Sequence, residues 1–166
     1  MSDEKTIRLL IVDDEDAFLK AISERLKLKG FDVTPASSGE MALAAARDNT
    51  FDVAVVDLHM PGITGQELLT ALKQQHPFLQ VLILTGQSTV TSAIECMKMG
   101  ATTYLEKPYD FEQLVEAIKD AYTSKLIRKF EHQAQQLKAI DALSTNGSST
   151  LDVLQTLKRM DDGEVS

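Results

Sequence analysis

A single cysteine, Cys96, is all the thiol chemistry available to this chain of 166 residues. One thiol excludes an internal disulfide and fits a reducing compartment such as the cytoplasm; Cys96 reads as a plain helical thiol rather than a redox centre. Long apolar runs are missing too. None approaches the roughly 18 residues of a membrane span, and the acidic opening "MSDEKT" is unlike a signal peptide. Positive charge is scarce, with 17 Lys+Arg against 25 Asp+Glu and a formal net charge of −8. The deficit is local: 11 against 19 up to Thr123, then 6 against 6 from Ser124 onward. No segment is basic enough for a nucleic-acid surface, which argues against direct nucleic-acid binding. Glycine is absent where a nucleotide fold would need it, since neither a Gly-x-Gly-x-x-Gly turn nor a P-loop occurs.

What is present is a chain with 43% hydrophobic and 25% charged residues, ordinary for a globular protein and long enough for one full domain plus an appendage. Continuous apolar runs stand at "IRLLIV", "FDVAVV" and "VLILT", with weaker strand candidates at "FDVTP" and "TTYLE". Runs of this kind suit strands buried on both faces, as in a parallel sheet covered by helices. Between them lie segments of helical spacing. Phe18, Leu19, Ile22, Leu26 and Leu28 mark the first, which Gly30 stops. "GEMALAAARDN" is alanine-rich, "GQELLTALKQQHP" closes at Pro77, and "STVTSAIECMKMG" runs from a hydroxyl cap to Gly100. A fifth begins at Asp110. Strict strand–helix alternation predicts a three-layer α/β domain with right-handed crossovers, whose functional crevice lies beyond the carboxyl ends of the strands.

The residues at those ends share a chemistry. Asp13 and Asp14 follow the first strand, Asp57 the third, Thr85 and Gly86 the fourth, and Glu106, Lys107 and Pro108 the fifth. The run Asp13-Asp14-Glu15-Asp16 would repel phosphate and repel itself unless a cation sat among the acids. Carboxylates around an oxygen-rich space hold Mg²⁺ (or Mn²⁺) in this way. Asp57 has no acidic neighbour in sequence yet must face the same ion. It is therefore the candidate nucleophile, able to take a phosphoryl group as an acyl phosphate. Lys107 and Thr85 are placed to hold the phosphoryl oxygens. Glu15 and Asp16 read as the start of the first helix, where the dipole favours acids.

"LLIVDDED", "DVAVVDLHMPGITG", "VLILTG" and "GATTYLEKPYD", in this order and spacing, resemble the receiver domain of two-component response regulators over about residues 5–123. The resemblance implies a doubly wound, flavodoxin-like sheet of five parallel strands in the order 2-1-3-4-5. It implies phosphorylation of Asp57 by a sensor histidine kinase or phosphotransfer protein. Mg²⁺ would be held by Asp14, Asp57 and the backbone carbonyl of His59, with Asp13 acting mostly through water. Thr85 would turn its hydroxyl to the phosphoryl group, coupled to the switch aromatic Tyr104, which otherwise reads as an ordinary half-buried strand residue. Lys107 would pair with that group, or with Asp57 before phosphorylation, and the Lys107–Pro108 bond would be cis. His59 and Gln87 fall where the family tunes phosphate lifetime, and imply autodephosphorylation of intermediate speed. Such a protein is a signalling switch rather than an enzyme; a free-standing phosphatase would need a second acid at residue 59, which is histidine.

The rest of the chain divides, on this reading, into a receiver over residues 1–123, a helical extension over 124–143, and a flexible linker with a short helix over 144–166. Leu126, Ile127, Phe130, Ala134, Leu137 and Ile140 form a short stripe suited to a homodimer through the fourth helix, fifth strand and extended fifth helix, or to packing back on the receiver. The extension resembles the linker of nitrogen-regulator-type activators, so the chain reads either as a fragment of such a protein or as a complete regulator. A constitutive scaffold without a phosphate cycle is the alternative function. His132, in "FEHQAQQ", lacks the setting of a phosphotransfer histidine and is expected to be exposed.

Overall fold

Alternation of side chains across a strand sorts the apolar runs into two layers. In the computed structural model, which describes residues 6–145 together with Gln155, Lys158 and Arg159, β1 is Arg8–Val12, β2 Asp32–Ala36, β3 Val53–Val56, β4 Gln80–Thr85 and β5 Thr103–Glu106. The helices are α1 Asp16–Leu28, α2 Gly39–Asp48, α3 Gly65–Gln75, α4 Val90–Lys98 and α5 Phe111–Thr145. Leu10, Val12, Ala54, Val56, Val81 and Ile83 enter one core with Ala42 and Ala46 of α2, Leu68, Leu69 and Leu72 of α3, and Cys96 of α4. The intervening Leu9, Ile11, Val53, Val55, Leu82 and Leu84 enter a second core with Leu19, Ile22 and Leu26 of α1 and Leu114, Val115, Ile118 and Ala121 of α5. A sheet covered on both faces needs the unbroken apolar strands that the sequence contains.

The strands are parallel, in the order β2-β1-β3-β4-β5. Pro35, which has no N–H to donate, lies in β2 at an edge of the sheet, where proline is tolerated. Register matters most for function. Val12 pairs with Val56, and Val56 with Ile83, so Asp13 and Asp57 leave adjacent strands at the same level. Thr85 pairs with Glu106, which sets Lys107 beside the end of β4.

Helix ends follow local chemistry. Ser38, Thr64 and Thr89 cap α2, α3 and α4 by accepting from the N–H groups of Met41, Glu67 and Ser92. Gly30, with φ +95°, turns the chain after α1 in a conformation that side chains resist. Leu28, expected on the buried stripe, is instead 89% exposed. Leu26 already takes the inward position, and two residues on, a helix has turned about 200°.

The chain divides into two units, Met1–Lys125 and Leu126–Ser166, so α5 contributes to both. The helix runs two residues past the expected boundary at 143, to Thr145, because no glycine or proline breaks it there; the rest of the expected linker and short helix lies outside the described residues, apart from Gln155, Lys158 and Arg159. The last residue of the first unit, Lys125, is buried and pairs with buried Asp52 just ahead of β3. Asp52 also accepts from the Arg8 backbone N–H at 2.8 Å and from its guanidinium at 3.2 Å and 3.3 Å. Burial pushes the Asp52 carboxyl up, but the hydrogen bonds from Arg8 and Lys125 outweigh it, and the pKa is lowered. Ionised Asp52 therefore stabilises the fold above its ordinary value of 3.8, and that contribution is lost as pH falls through the lowered one. Lys125→Met is expected to cost about 3 kcal/mol at neutral pH, at the low end for a broken buried pair because Arg8 remains. Unfolding curves should show the gap to wild type shrinking once pH drops below 3.8.

Candidate functional site

Three carboxylates meet beyond the strand ends. Ligand oxygens of Asp13, Asp14 and Asp57 lie within 4.8 Å of one another. Asp13 and Asp57 are buried, at 2% and 6% exposure, while Asp14 faces solvent. The strands hold them there through the backbone: Asp13 N–H donates to Ala36 O of β2, and Asp57 N–H to Val12 O of β1. Gly65 closes the site from below by close approach. A Cβ there would stand 2.5 Å from Leu58 Cα and 2.6 Å from the Asp57 carbonyl oxygen. Only glycine lets α3 begin so near the acid.

Each acid finds some compensation. Asp13 Oδ1 accepts from the Glu15 N–H at 2.9 Å and Oδ2 from Lys107 Nζ at 2.6 Å. Asp57 has less: its Oδ1 accepts from the His59 N–H at a long 3.4 Å. Burial, and next the Asp13 charge, raise the Asp57 pKa, while Lys107, the His59 N–H and the Thr85 hydroxyl pull the other way. Lys107, expected to pair with Asp57 before phosphorylation, pairs instead with Asp13. Asp13 is the more deeply buried of the two, so its charge gains most from an ammonium. The Lys107–Pro108 peptide is cis, and the Lys107 N–H donates to Thr85 O at 2.8 Å.

Thr85 is fully buried, its hydroxyl accepting from the Gln87 N–H at 3.4 Å. The Gln87 carbonyl in turn lies 3.1 Å from His59 Nε2, so the imidazole bridges the loops after β3 and β4. Tyr104 is half-buried in β5, with its hydroxyl 3.1 Å from Ser92 Oγ in the capping box of α4. Glu15 is the N-cap of α1 and Asp16 its first residue. His132 stands in α5 and, contrary to expectation, is half-buried. One turn further along, the Gln136 amide donates to its Nε2 at 3.2 Å.

Sequence reasoning missed Phe18 as a neighbour of the site. Its ring lies under Lys107 Nζ, 4.0 Å from the centroid. Helical spacing marked Phe18 only as core, and nothing local links it to a lysine 89 residues on. Sequence reasoning likewise missed Asp52, Arg8 and Lys125 as a set, because the partners are 44 and 73 residues apart.

A five-stranded parallel sheet of this order, with acids, a threonine and a lysine at its carboxyl edge, defines the CheY-like class of α/β domain. Residues 9–119 match the response regulator receiver domain family, and the chain belongs to it. Phosphorylation on aspartate is the general function of this family. A receiver domain from Methanospirillum hungatei superposes with a TM-score of 0.72 at 27% identity, covering 75% of this chain and 99% of that one. One from Clostridium thermocellum gives 0.70 at 35% identity, covering 73% and 98%. Among curated relatives, the alginate biosynthesis transcriptional regulatory protein AlgB of Pseudomonas aeruginosa is 31% identical over 159 residues, 95% of this chain and 35% of that protein. The DNA-binding transcriptional regulator NtrC of Salmonella typhimurium is 32% identical over 152 residues, 92% and 30% respectively. The chain thus spans about a third of the length of these two relatives. No helix among the described residues is long and apolar enough to cross a membrane.

A raised carboxyl pKa means that ionised Asp57 works against folding at neutral pH, and that this burden lifts as pH falls through the raised value. Asp57→Asn is therefore expected to raise the thermal midpoint by a few degrees in chelator at pH 7. Calorimetry at stepwise lower pH should find the advantage narrowing.

Proposed function

We propose that Asp57 is the phosphoryl acceptor of this chain and that the cluster around it is built for that transfer. The observation that carries the reading is the packing of Asp13, Asp14 and Asp57 within 4.8 Å, two of them buried, with one lysine among them. One ammonium does not neutralise three carboxylates, and the oxygen donor set suits Mg²⁺ or Mn²⁺. Asp14, Asp57 and the His59 carbonyl are the proposed ligands, with Asp13 contributing through water. An ion held there would offset the negative charge of the acids and of the incoming phosphoryl oxygens.

The remaining steps belong to the chain's own groups. An Asp57 carboxylate oxygen attacks phosphorus; a P–O bond forms as the bond to the phosphohistidine nitrogen of a kinase or phosphotransfer partner breaks, and that nitrogen keeps the electron pair. Lys107 supplies positive charge to the new phosphoryl oxygens, and Thr85 a hydroxyl. Tyr104, tied to Ser92 at the start of α4, carries a change at Thr85 toward that helix. His59 and Gln87 set how readily water reaches the acyl phosphate, which hydrolyses at intermediate speed. The chain works in the cytoplasm, with the receiver at residues 1–123, a dimerising extension at 124–143, and a linker with a short helix at 144–166.

A second copy of the chain covers the apolar surface of the extension. Leu126, Ile127, Phe130 and Leu137 are 48%, 53%, 72% and 66% exposed, and Val90, Ile94 and Met97 of α4 are 78%, 50% and 48% exposed. Patches of this kind mark protein contacts.

Incubation with acetyl phosphate, with and without Mg²⁺, tests the reading by intact mass. Addition of one phosphoryl group in wild type, dependent on the ion and lost in Asp57→Asn, is the expected outcome. No addition to wild type would leave the scaffold alternative. Phe130→Ser should shift sizing profiles toward monomer with phosphoryl uptake unchanged; an unaltered profile would remove the extension from the dimer.

A further inference from the structure

The Lys107 ammonium touches two different surfaces. On one side it donates to Asp13 Oδ2 at 2.6 Å. On another it stands over the face of Phe18, 4.0 Å from the ring centroid. The Lys107 side chain is only 16% exposed, so the ring replaces water as its neighbour. Phe18 is itself held. Tyr109, two residues beyond Lys107, packs edge-on against it, with centroids 6.1 Å apart and planes at 87°. A cation is drawn to an aromatic face, more strongly where water is excluded. An ammonium has three N–H donors; with one given to Asp13 and one side covered by the ring, little remains for solvent.

We infer that Phe18 is a positioning residue for phosphoryl transfer, its ring fixing the Lys107 ammonium beside the acid cluster so that its free donors meet phosphoryl oxygens on Asp57. This rests on the acceptor role proposed for Asp57 and adds to it a part of the site with no polar atom. A four-carbon stem left in solvent would spread the charge over many rotamers. With the ring and Asp13 on two sides, the ammonium is aimed before phosphate arrives, which is the general advantage of preorganised charge.

Phe18 also borders the core layer that includes α1 and α5, so a packing role must be separated from a positioning one. The test compares Phe18→Leu, which keeps apolar bulk, with Phe18→Tyr, which keeps the ring, each in wild type and in Lys107→Met. Acetyl phosphate with Mg²⁺ supplies the phosphoryl group, intact mass gives the rate, and thermal unfolding runs alongside. NMR of ¹³C-labelled lysine reads the upfield ring-current shift of the Lys107 ε-methylene. Phe18→Leu should abolish that shift and slow uptake roughly tenfold, within the 2- to 30-fold span of cation–π contacts. Phe18→Tyr should stay within about twofold of wild type, and Phe18→Leu should add nothing in the Lys107→Met background. Equal slowing in both backgrounds, or slowing by Phe18→Tyr as large as by Phe18→Leu, would assign Phe18 to packing and overturn the inference. So would an unchanged rate in Phe18→Leu. A wild-type chain that takes up no phosphoryl group overturns the acceptor reading itself, and this inference with it.

Discussion

The contact between Lys107 Nζ and Asp13 Oδ2 is the constraint around which the site is arranged. Asp13, Asp14 and Asp57 crowd one edge of the sheet, and two of them have lost most of their water. Without a cation the arrangement would drive itself apart or take up protons. One lysine, brought from the end of β5, satisfies the deepest acid and leaves Asp57 with a raised pKa. The site therefore carries an electrostatic deficit, with more negative charge gathered than its one lysine offsets.

The backbone maintains that deficit. Asp13 and Asp57 donate their N–H groups to neighbouring strands, and Gly65 lets α3 press on the carbonyl of Asp57. Side chains cannot relax away because two cores, one on each face of the sheet, fix the strands that carry them. At the other end of β3, Asp52 with Arg8 and Lys125 repeats the same physics in resolved form, a buried acid given enough positive partners to lower its pKa. One end of β3 is electrostatically satisfied and the other is not. That contrast separates an acid whose charge is met by its partners from one whose charge is not.

Much of this was legible in the chain. Apolar runs without polar interruption read directly as strands covered on both faces, and the acids at their ends fell on the same rim because parallel strands put all their carboxyl ends together. Leu28 was misread because an apolar residue near a stripe is counted by spacing alone, whereas its true direction depends on the turn of the helix. Lys107 reads as a site residue, but its partner without phosphate is Asp13 rather than Asp57, since choosing between two acids takes relative burial, which no spacing encodes. Phe18 was assigned to the core, and its second role depends on a contact across 89 residues of chain. His132 looked exposed because the Gln136 amide one turn away cannot be seen as a partner from composition.

The sequence by itself determined the class of fold, the family, and the identity of the acids, threonine and lysine at the strand ends, because each of these follows from local pattern and order. The tertiary structure alone decided which charge meets which. Register set Asp13 level with Asp57, burial ranked the acids, and packing of α1 against the loop after β5 brought an aromatic face to an ammonium. Pairing energies depend on distance and on excluded water, and both exist only once the chain has folded.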